Sequence, residues 1–205
     1  MSEHEHFQRA YSDRTTPPWD IGRPQPALME AQRRGWIRGS VLDAGCGTGE
    51  HSLHFAAAGC DVVGVDVVPA AIERAVAKAA QPGIANPPHF VVADVIREPA
   101  ALGDRTFDTV VDMGFFHTLT DEQRTAWRSV LAHVLVAGGS YVMVCFSDLV
   151  PGGYGPRRIS EADIRETFRH SDGFEVAELE RAEIESNRGA AVVAIPAWLT
   201  KIDRR

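Results

Sequence analysis

Nine residues, Val41-Leu42-Asp43-Ala44-Gly45-Cys46-Gly47-Thr48-Gly49, constrain this chain more than any other stretch. An apolar run breaks into three glycines at alternate positions, and an amphipathic segment from Glu50 to Ala58 follows at once. This reads as a buried strand, a sharp turn and a helix. Glycine accepts the positive φ such a turn needs and lets a ligand approach the main chain closely. The helix start adds unpaired N–H groups. The spacing is not the dinucleotide fingerprint, whose third glycine falls one place later, and an acid two residues before the first glycine is a different signature.

Strand and helix patterns alternate from there. Strands are expected over 40–44, 61–66, 90–92, 107–113, 140–146, 174–185 and 190–195. Helices are expected over 27–36, 50–58, 69–79, 121–135 and 161–168, with Pro69 in a favoured first-turn position. Helices between successive strands imply parallel crossovers. The link Ser186-Asn187-Arg188-Gly189 is too short for one, so the last two strands form an antiparallel hairpin. The expectation is an α/β fold: a doubly wound, mostly parallel, seven-stranded Rossmann-like sheet with an antiparallel C-terminal edge hairpin. One domain spans 1–205, with a core over 25–205. Residues 1–24 form a separate arm, because Pro17, Pro18, Pro24 and Pro26 forbid a continuous helix there.

Composition narrows the partners. No apolar run approaches the roughly 20 residues a bilayer span needs, so no membrane association is expected. The start, Met1 to His6, is polar and acidic with no apolar segment of a secretory signal. Cys46, Cys60 and Cys145 form neither a disulfide framework nor a metal-ligand spacing, so no metal and a cytoplasmic location are expected. With 21 Lys+Arg against 28 Asp+Glu, the net charge of −7 argues against a nucleic-acid partner.

Two more acids fall at strand tips. Asp66 ends Val62-Val63-Gly64-Val65 and can accept both hydroxyls of a ribose; its alternative role is to cap the next helix. Asp94, after Val91-Val92-Ala93, can meet the exocyclic amine of adenine with Val95 against the ring; its alternative is a turn aspartate. Taken in order, Asp43, Gly45, Gly47, Gly49, Asp66 and Asp94 resemble the motifs of the class I S-adenosylmethionine-dependent methyltransferases. The resemblance covers residues 40 to about 146 and implies S-adenosylmethionine as cofactor. It also implies a cofactor site that includes Cys46, Val67 and Met113.

A narrower resemblance lies in Pro18-Trp19-Asp20-Ile21-Gly22-Arg23-Pro24, which looks like the segment preceding the core in the thiopurine and thiol methyltransferase-like group. It implies that Trp19 helps cover the cofactor; a structural anchor is the alternative. The arm is then a lid, with Trp19 at the methionine end and Tyr11 towards the acceptor. After strand four, Gly114-Phe115-Phe116-His117 sits where open α/β sheets bind ligands. Phe115 and Phe116 are candidate acceptor walls. His117 is the candidate general base, or else a histidine that caps a helix or bonds a carbonyl. Tyr154 and Arg157, in the turn-rich loop 151–158, are further candidate acceptor contacts. The expected activity is methyl transfer from S-adenosylmethionine to sulfur, oxygen or nitrogen of a small molecule. The rivals are a protein or nucleic-acid methyltransferase, a non-catalytic binding module and a nicotinamide-dependent oxidoreductase. Acceptor, attacked atom and oligomeric state stay open at this point.

Overall fold

The computed structural model describes residues 3–12, 16–81, 86–152, 155–188 and 191–205. Seven strands make one sheet in the order β3-β2-β1-β4-β5-β7-β6. They are β1 Ser40–Ala44, β2 Asp61–Asp66, β3 His89–Val92, β4 Phe107–Met113, β5 Leu135–Phe146, β6 Phe174–Arg188 and β7 Ala191–Arg204. Neighbours from β3 to β5 are parallel. β7 runs antiparallel to both β5 and β6, so it is the one reversed strand.

Among the described residues six α-helices accompany the sheet: α1 Glu3–Ser12, α2 Pro26–Arg33, α3 Glu50–Ala57, α4 Pro69–Ala79, α5 Asp121–Val134 and α6 Glu161–Thr167. Local chemistry sets their starts. Pro69 opens α4, while Thr120 with Gln123 and Ser160 with Asp163 form reciprocal capping boxes on α5 and α6. The central strands are apolar on both faces, as a covered parallel sheet requires. Their alternation sorts the core into two layers. Leu42, Val110, Tyr141 and Met143 join Trp127, Leu131 and Phe168 on one face. Val41, Val111, Val142 and Val144 join Leu28, Ala31 and Phe55 on the other.

Strand β5 starts at Leu135, five residues earlier than expected, and α2 ends at Arg33, three residues early; two further elements also differ. Helix α1 lies N-terminal to the prolines that argued against helix. Strand β7 continues through Pro196 to Arg204, and its residues 197–203 make the pairing with β5. The proline is tolerated because its carbonyl accepts from Ser147 N at 3.1 Å. Its missing N–H therefore points the same way, past the last β5 pair, where the ladder needs no donor.

Candidate active site

The parallel strands end along one edge, and the loops that leave them converge there. At the tip of β1, Gly45 N and Cys46 N both donate to Val65 O, at 2.8 and 3.0 Å, which folds the turn back onto β2. Gly45 and Gly47 hold φ of +70° and +53°, which side chains with a Cβ rarely adopt. A Cβ at Gly47 would stand 2.8 Å from the Tyr11 hydroxyl, and one at Gly45 would stand 3.2 Å from Phe115 Cβ. Gly49 shares the positive φ, at +82°, and has a second reason: a Cβ there would meet Phe90 Cζ at 2.8 Å and Ala75 Cβ at 3.0 Å, so it also lets α3 pack. Cys46 is buried with its thiol directed to Gly47 O, leaving its backbone to shape the turn.

Two carboxylates hold this turn. Asp66 Oδ2 accepts from Gly47 N and Oδ1 from Val68 N, both at 2.9 Å. Burial raises its pKa against the opposing pull of those N–H groups. Val68 and not Asp66 is the N-cap of α4, which has no side-chain cap, so Asp66 closes a local turn onto Val68 and keeps lone-pair positions for a ligand, since a carboxylate has about four. Asp43 lies beneath the turn, 1% exposed, and accepts from Ser52 Oγ at 2.6 Å. Burial pushes it up to about 6. Asp94 accepts from Ile96 N and Arg97 N, both at 3.1 Å, and Val95 is buried below it. Val67 packs against the small apolar cluster of Tyr11, Val68 and Ala71.

The acceptor-side turn follows β4 and is built on a buried acid that sequence reasoning missed. Asp112 accepts from Phe115 N at 2.7 Å, Phe116 N at 2.9 Å and Tyr141 Oη at 2.5 Å. Tyr141 in turn accepts from Trp127 Nε1 at 3.1 Å. Burial pushes Asp112 up to about 7 despite these donors. A signal was present: Asp112-Met113-Gly114 repeats the acid-x-Gly of Asp43-Ala44-Gly45. Phe115 is half-buried over Gly45 and packs edge-on against Trp127. Met113 is half-buried against the layer containing Val111 and Val144.

Three acceptor-side expectations change. Phe116 is fully buried against Phe168 and Arg124, so it is core and not an acceptor wall. Arg157 turns its guanidinium to Asp121, at 2.5 Å, while its backbone N–H donates to His117 O at 3.2 Å. His117 is buried and accepts from Phe146 N through Nδ1 at 2.9 Å. Burial, with Arg124 adding to it, lowers its pKa to about 3, which is not a state suited to taking a proton. Tyr154 lies outside the described residues.

The arm divides in two. Residues 17–25 are stitched down: Pro18 O accepts from Asn187 N at 2.7 Å and from Ser186 Oγ at 3.1 Å. Gln25 exchanges two side-chain bonds with the Glu185 backbone and donates its own N–H to His51 Nε2. Arg23 pairs with Glu185. Asp20, also missed, accepts from Thr48 Oγ1 at 2.8 Å and so anchors the segment at the glycine turn. Helix α1 instead lies across α4, where Arg74 Nη2 donates to Tyr11 O at 2.6 Å. Of the aromatic pair, Tyr11 and not Trp19 touches the glycine turn. Tyr11 lies on Gly47, and Trp19 stands behind it, donating Nε1–H to Tyr11 Oη at 3.0 Å and packing on Phe7. The tyrosine is the smaller group and fits the turn; the tryptophan keeps 38% of its surface exposed.

These features fit S-adenosylmethionine on chemical grounds. Side-chain-free glycines make a turn that a ligand can approach closely, and the Asp66 carboxylate stands beside it. Asp20 and Asp66 flank the turn, and Asp43 lies buried beneath it, which places three acids near a ligand that carries a sulfonium and an ammonium. The comparisons with known proteins agree. Residues 41–139 match the model of a methyltransferase domain. The chain is 30% identical to 2-heptyl-1-hydroxyquinolin-4(1H)-one methyltransferase of Mycobacteroides abscessus, over 92% of this chain and 89% of that one. It is 29% identical to probable thiol methyltransferase 2 of Arabidopsis thaliana, over 71% and 64% of the two chains. A solved structure reported for the conversion of a disulfide bond into a thioacetal group during echinomycin biosynthesis superposes with a TM-score of 0.84 at 30% identity, covering 98% and 92%. The fold alone is shared with magnesium protoporphyrin IX methyltransferase of Synechocystis, solved with the same cofactor bound, at a TM-score of 0.71, 20% identity and 100% and 98% coverage.

The chain belongs to the class I S-adenosylmethionine-dependent methyltransferases. It is an enzyme, and S-adenosylmethionine is its cofactor.

Proposed function

We propose that this enzyme methylates sulfur, oxygen or nitrogen on a small, largely apolar acceptor. The observation that carries the reading is the cover over the cleft. Tyr11 rests on the glycine turn, Trp19 braces it, and the strap 17–25 closes the adjoining side. A protein or nucleic-acid acceptor needs an open approach, and a cleft roofed by the chain's own N-terminus favours something that fits beneath. The activities printed for the relatives, on a hydroxyquinolinone and on thiols, point the same way.

In this reading Gly45 and Gly47 form the floor, Asp66 with Val67 takes the ribose, and Asp94 with Val95 takes the adenine end. Met113 and Phe115 sit between cofactor and acceptor. The cofactor supplies a methyl group on a good leaving group, so the protein contributes chiefly alignment and exclusion of water, effects worth up to about 7–11 kcal/mol in well-oriented systems. Helix α1 serves water exclusion by closing over the loaded site. Arginines paired with acids, such as Arg34 with Glu30 and Arg128 with Asp172, support the absence of a nucleic-acid face. Three buried free cysteines support a cytoplasmic setting, and among the described residues no helix is long and apolar enough to cross a membrane.

The test is incubation with methyl-labelled cofactor and a panel of thiols, phenols, N-hydroxy heterocycles and N-heterocycles, beside mixed protein and RNA. Label on a small molecule is expected. Label on macromolecules alone would overturn the reading.

A further inference from the structure

His117 is locked in one tautomer. Phe146 N–H donates to Nδ1 at 2.9 Å. A donor cannot bond a protonated nitrogen, so the neutral ring carries its proton on Nε2. The ring packs against Phe146 with centroids 4.4 Å apart, and the residue's own carbonyl is held by Arg157 N. The Cε1–Nε2 edge faces Gly114, at the tip of β4. A Cβ on Gly114 would lie 3.3 Å from Cε1 and 3.4 Å from Nε2; glycine puts no side chain against that edge, and the residue as a whole keeps 6% of its surface exposed. Among the described residues no group accepts from Nε2–H.

A buried cation stands behind this donor. The Arg124 side chain is 4% exposed, and its Nε and Nη2 are the buried side-chain nitrogens left without a partner among the described residues. Its guanidinium lies 4.7 Å from the Phe116 ring centre. The groups facing it are Asp121 on its own helix, Arg157 from the loop, Asp163 on α6 and the Cys145 thiol on β5. Asp121 and Asp163 offset its charge only in part. Asp121 is 3.7 Å away, mostly exposed and bound more closely by Arg157. Asp163 is engaged with Ser160. A further positive charge on His117 is therefore disfavoured by burial and by Arg124 together.

An acceptor placed against Nε2–H meets a donor, not a base. We propose that the enzyme takes its acceptor as an anion, an acidic thiol, phenol or N-hydroxy heterocycle already ionised at sulfur or oxygen, held by His117 Nε2–H with the buried charge of Arg124 behind it. This rests on the reading as a small-molecule methyltransferase and narrows it. An uncharged amine is excluded as the preferred class, because its nitrogen gains little from a cation nearby. Atoms and electrons balance without the protein. A lone pair of the anion forms the new bond to carbon, the carbon–sulfur pair stays on sulfur, and no proton needs a destination. The charges of anion and sulfonium cancel, which a poorly hydrated site favours.

The probe is 4-nitrothiophenol, whose anion has its own visible band, bound in the presence of S-adenosylhomocysteine. Titrating the bound probe should show its pKa lowered by about one unit, the scale of one nearby cation or donor. His117→Leu should abolish the shift, His117→Gln should restore part of it by returning an N–H, and Arg124→Met should reduce it. In turnover, the acidic limb of kcat/KM should move with the pKa of each acceptor in a graded series. A bound probe with an unshifted or raised pKa overturns the proposal. So does a limb fixed at one pH for all acceptors and removed by His117→Leu, which would make His117 a base. Wild-type protein that binds S-adenosylhomocysteine but not the anion also overturns it. Protein that binds no S-adenosylhomocysteine at all defeats the underlying reading instead.

Discussion

The two halves of the cleft are built by different means. At the tips of β1 to β3 the main chain makes the proposed cofactor half: glycines hold the turn at positive φ, and carboxylates accept from backbone N–H groups. At the tips of β4 and β5 side chains make it. A buried relay from Trp127 through Tyr141 to Asp112 fixes the turn, and His117 is oriented by the strand after it. The first half is therefore sensitive to any added side chain. The second is sensitive to loss of a single hydrogen-bonding atom, since a buried partner left unpaired costs about 1–3 kcal/mol.

The sharpest break of this contrast is within the glycines. Gly47→Val should abolish S-adenosylhomocysteine binding, a loss above roughly 100-fold, because strain at positive φ of about 1–3 kcal/mol adds to occlusion of the floor. Its circular dichroism should stay native. Gly64→Ala should do the reverse, lowering the melting temperature, because its Cβ would meet Phe90 at 2.6 Å and Ser52 Oγ at 2.9 Å.

Asp66→Ala comes next. Losing hydrogen bonds to a charged group costs roughly 1.5–3 kcal/mol, so calorimetry should show affinity for S-adenosylhomocysteine falling by about one to two orders of magnitude. An affinity within about twofold of wild type would leave Asp66 as a holder of the Gly47 and Val68 N–H groups alone.

Tyr141→Phe tests the other half. It takes a donor from Asp112 and an acceptor from Trp127, so denaturant melts should show about 1–3 kcal/mol of lost stability. Turnover should fall while S-adenosylhomocysteine affinity holds. Equal losses of both would merge the two halves.

A smaller effect is pH dependence. The folded pKa of Asp112 is raised to about 7 by burial, against an unfolded value near 3.9. Between those values the folded state holds a proton that the unfolded state has lost. Its stability contribution is therefore present at low pH and declines as pH rises from about 4 to about 7, then stays level. Melts of wild type and Asp112→Asn across this range should converge or cross in that direction; a constant offset would refute the shift.

The cofactor half was legible because its requirements are written one residue at a time. A turn that needs positive φ demands glycine, so Gly45, Gly47 and Gly49 declare it, and the acid two residues before it, Asp43, stands out with those that end the next strands, Asp66 and Asp94. The alternation of strand and helix was equally local, and it yields the sheet once the short link 186–189 is seen to forbid a crossover. The relay was harder to see. Trp127, Tyr141 and Asp112 each look like ordinary residues of a helix or strand, and only the packing of α5 on β4 and β5 brings them together. The same holds for the arm. Its prolines announced a break, but nothing local says that Gln25 pairs with the Glu185 backbone, or that Tyr11 and not Trp19 reaches the turn. His117 shows the limit most clearly. Its position at the strand tip suggested a base, whereas its tautomer is set by Phe146 N, 29 residues on.

One titration bears most directly on the division of the cleft. S-adenosylhomocysteine is added by calorimetry to wild type, Gly47→Val and Tyr141→Phe under one set of conditions. Wild type and Tyr141→Phe should bind one equivalent with similar affinity, and Gly47→Val should give no heat of binding. A silent wild type, or a Gly47→Val protein that binds as wild type does, would contradict the assignment of the glycine turn as the cofactor floor.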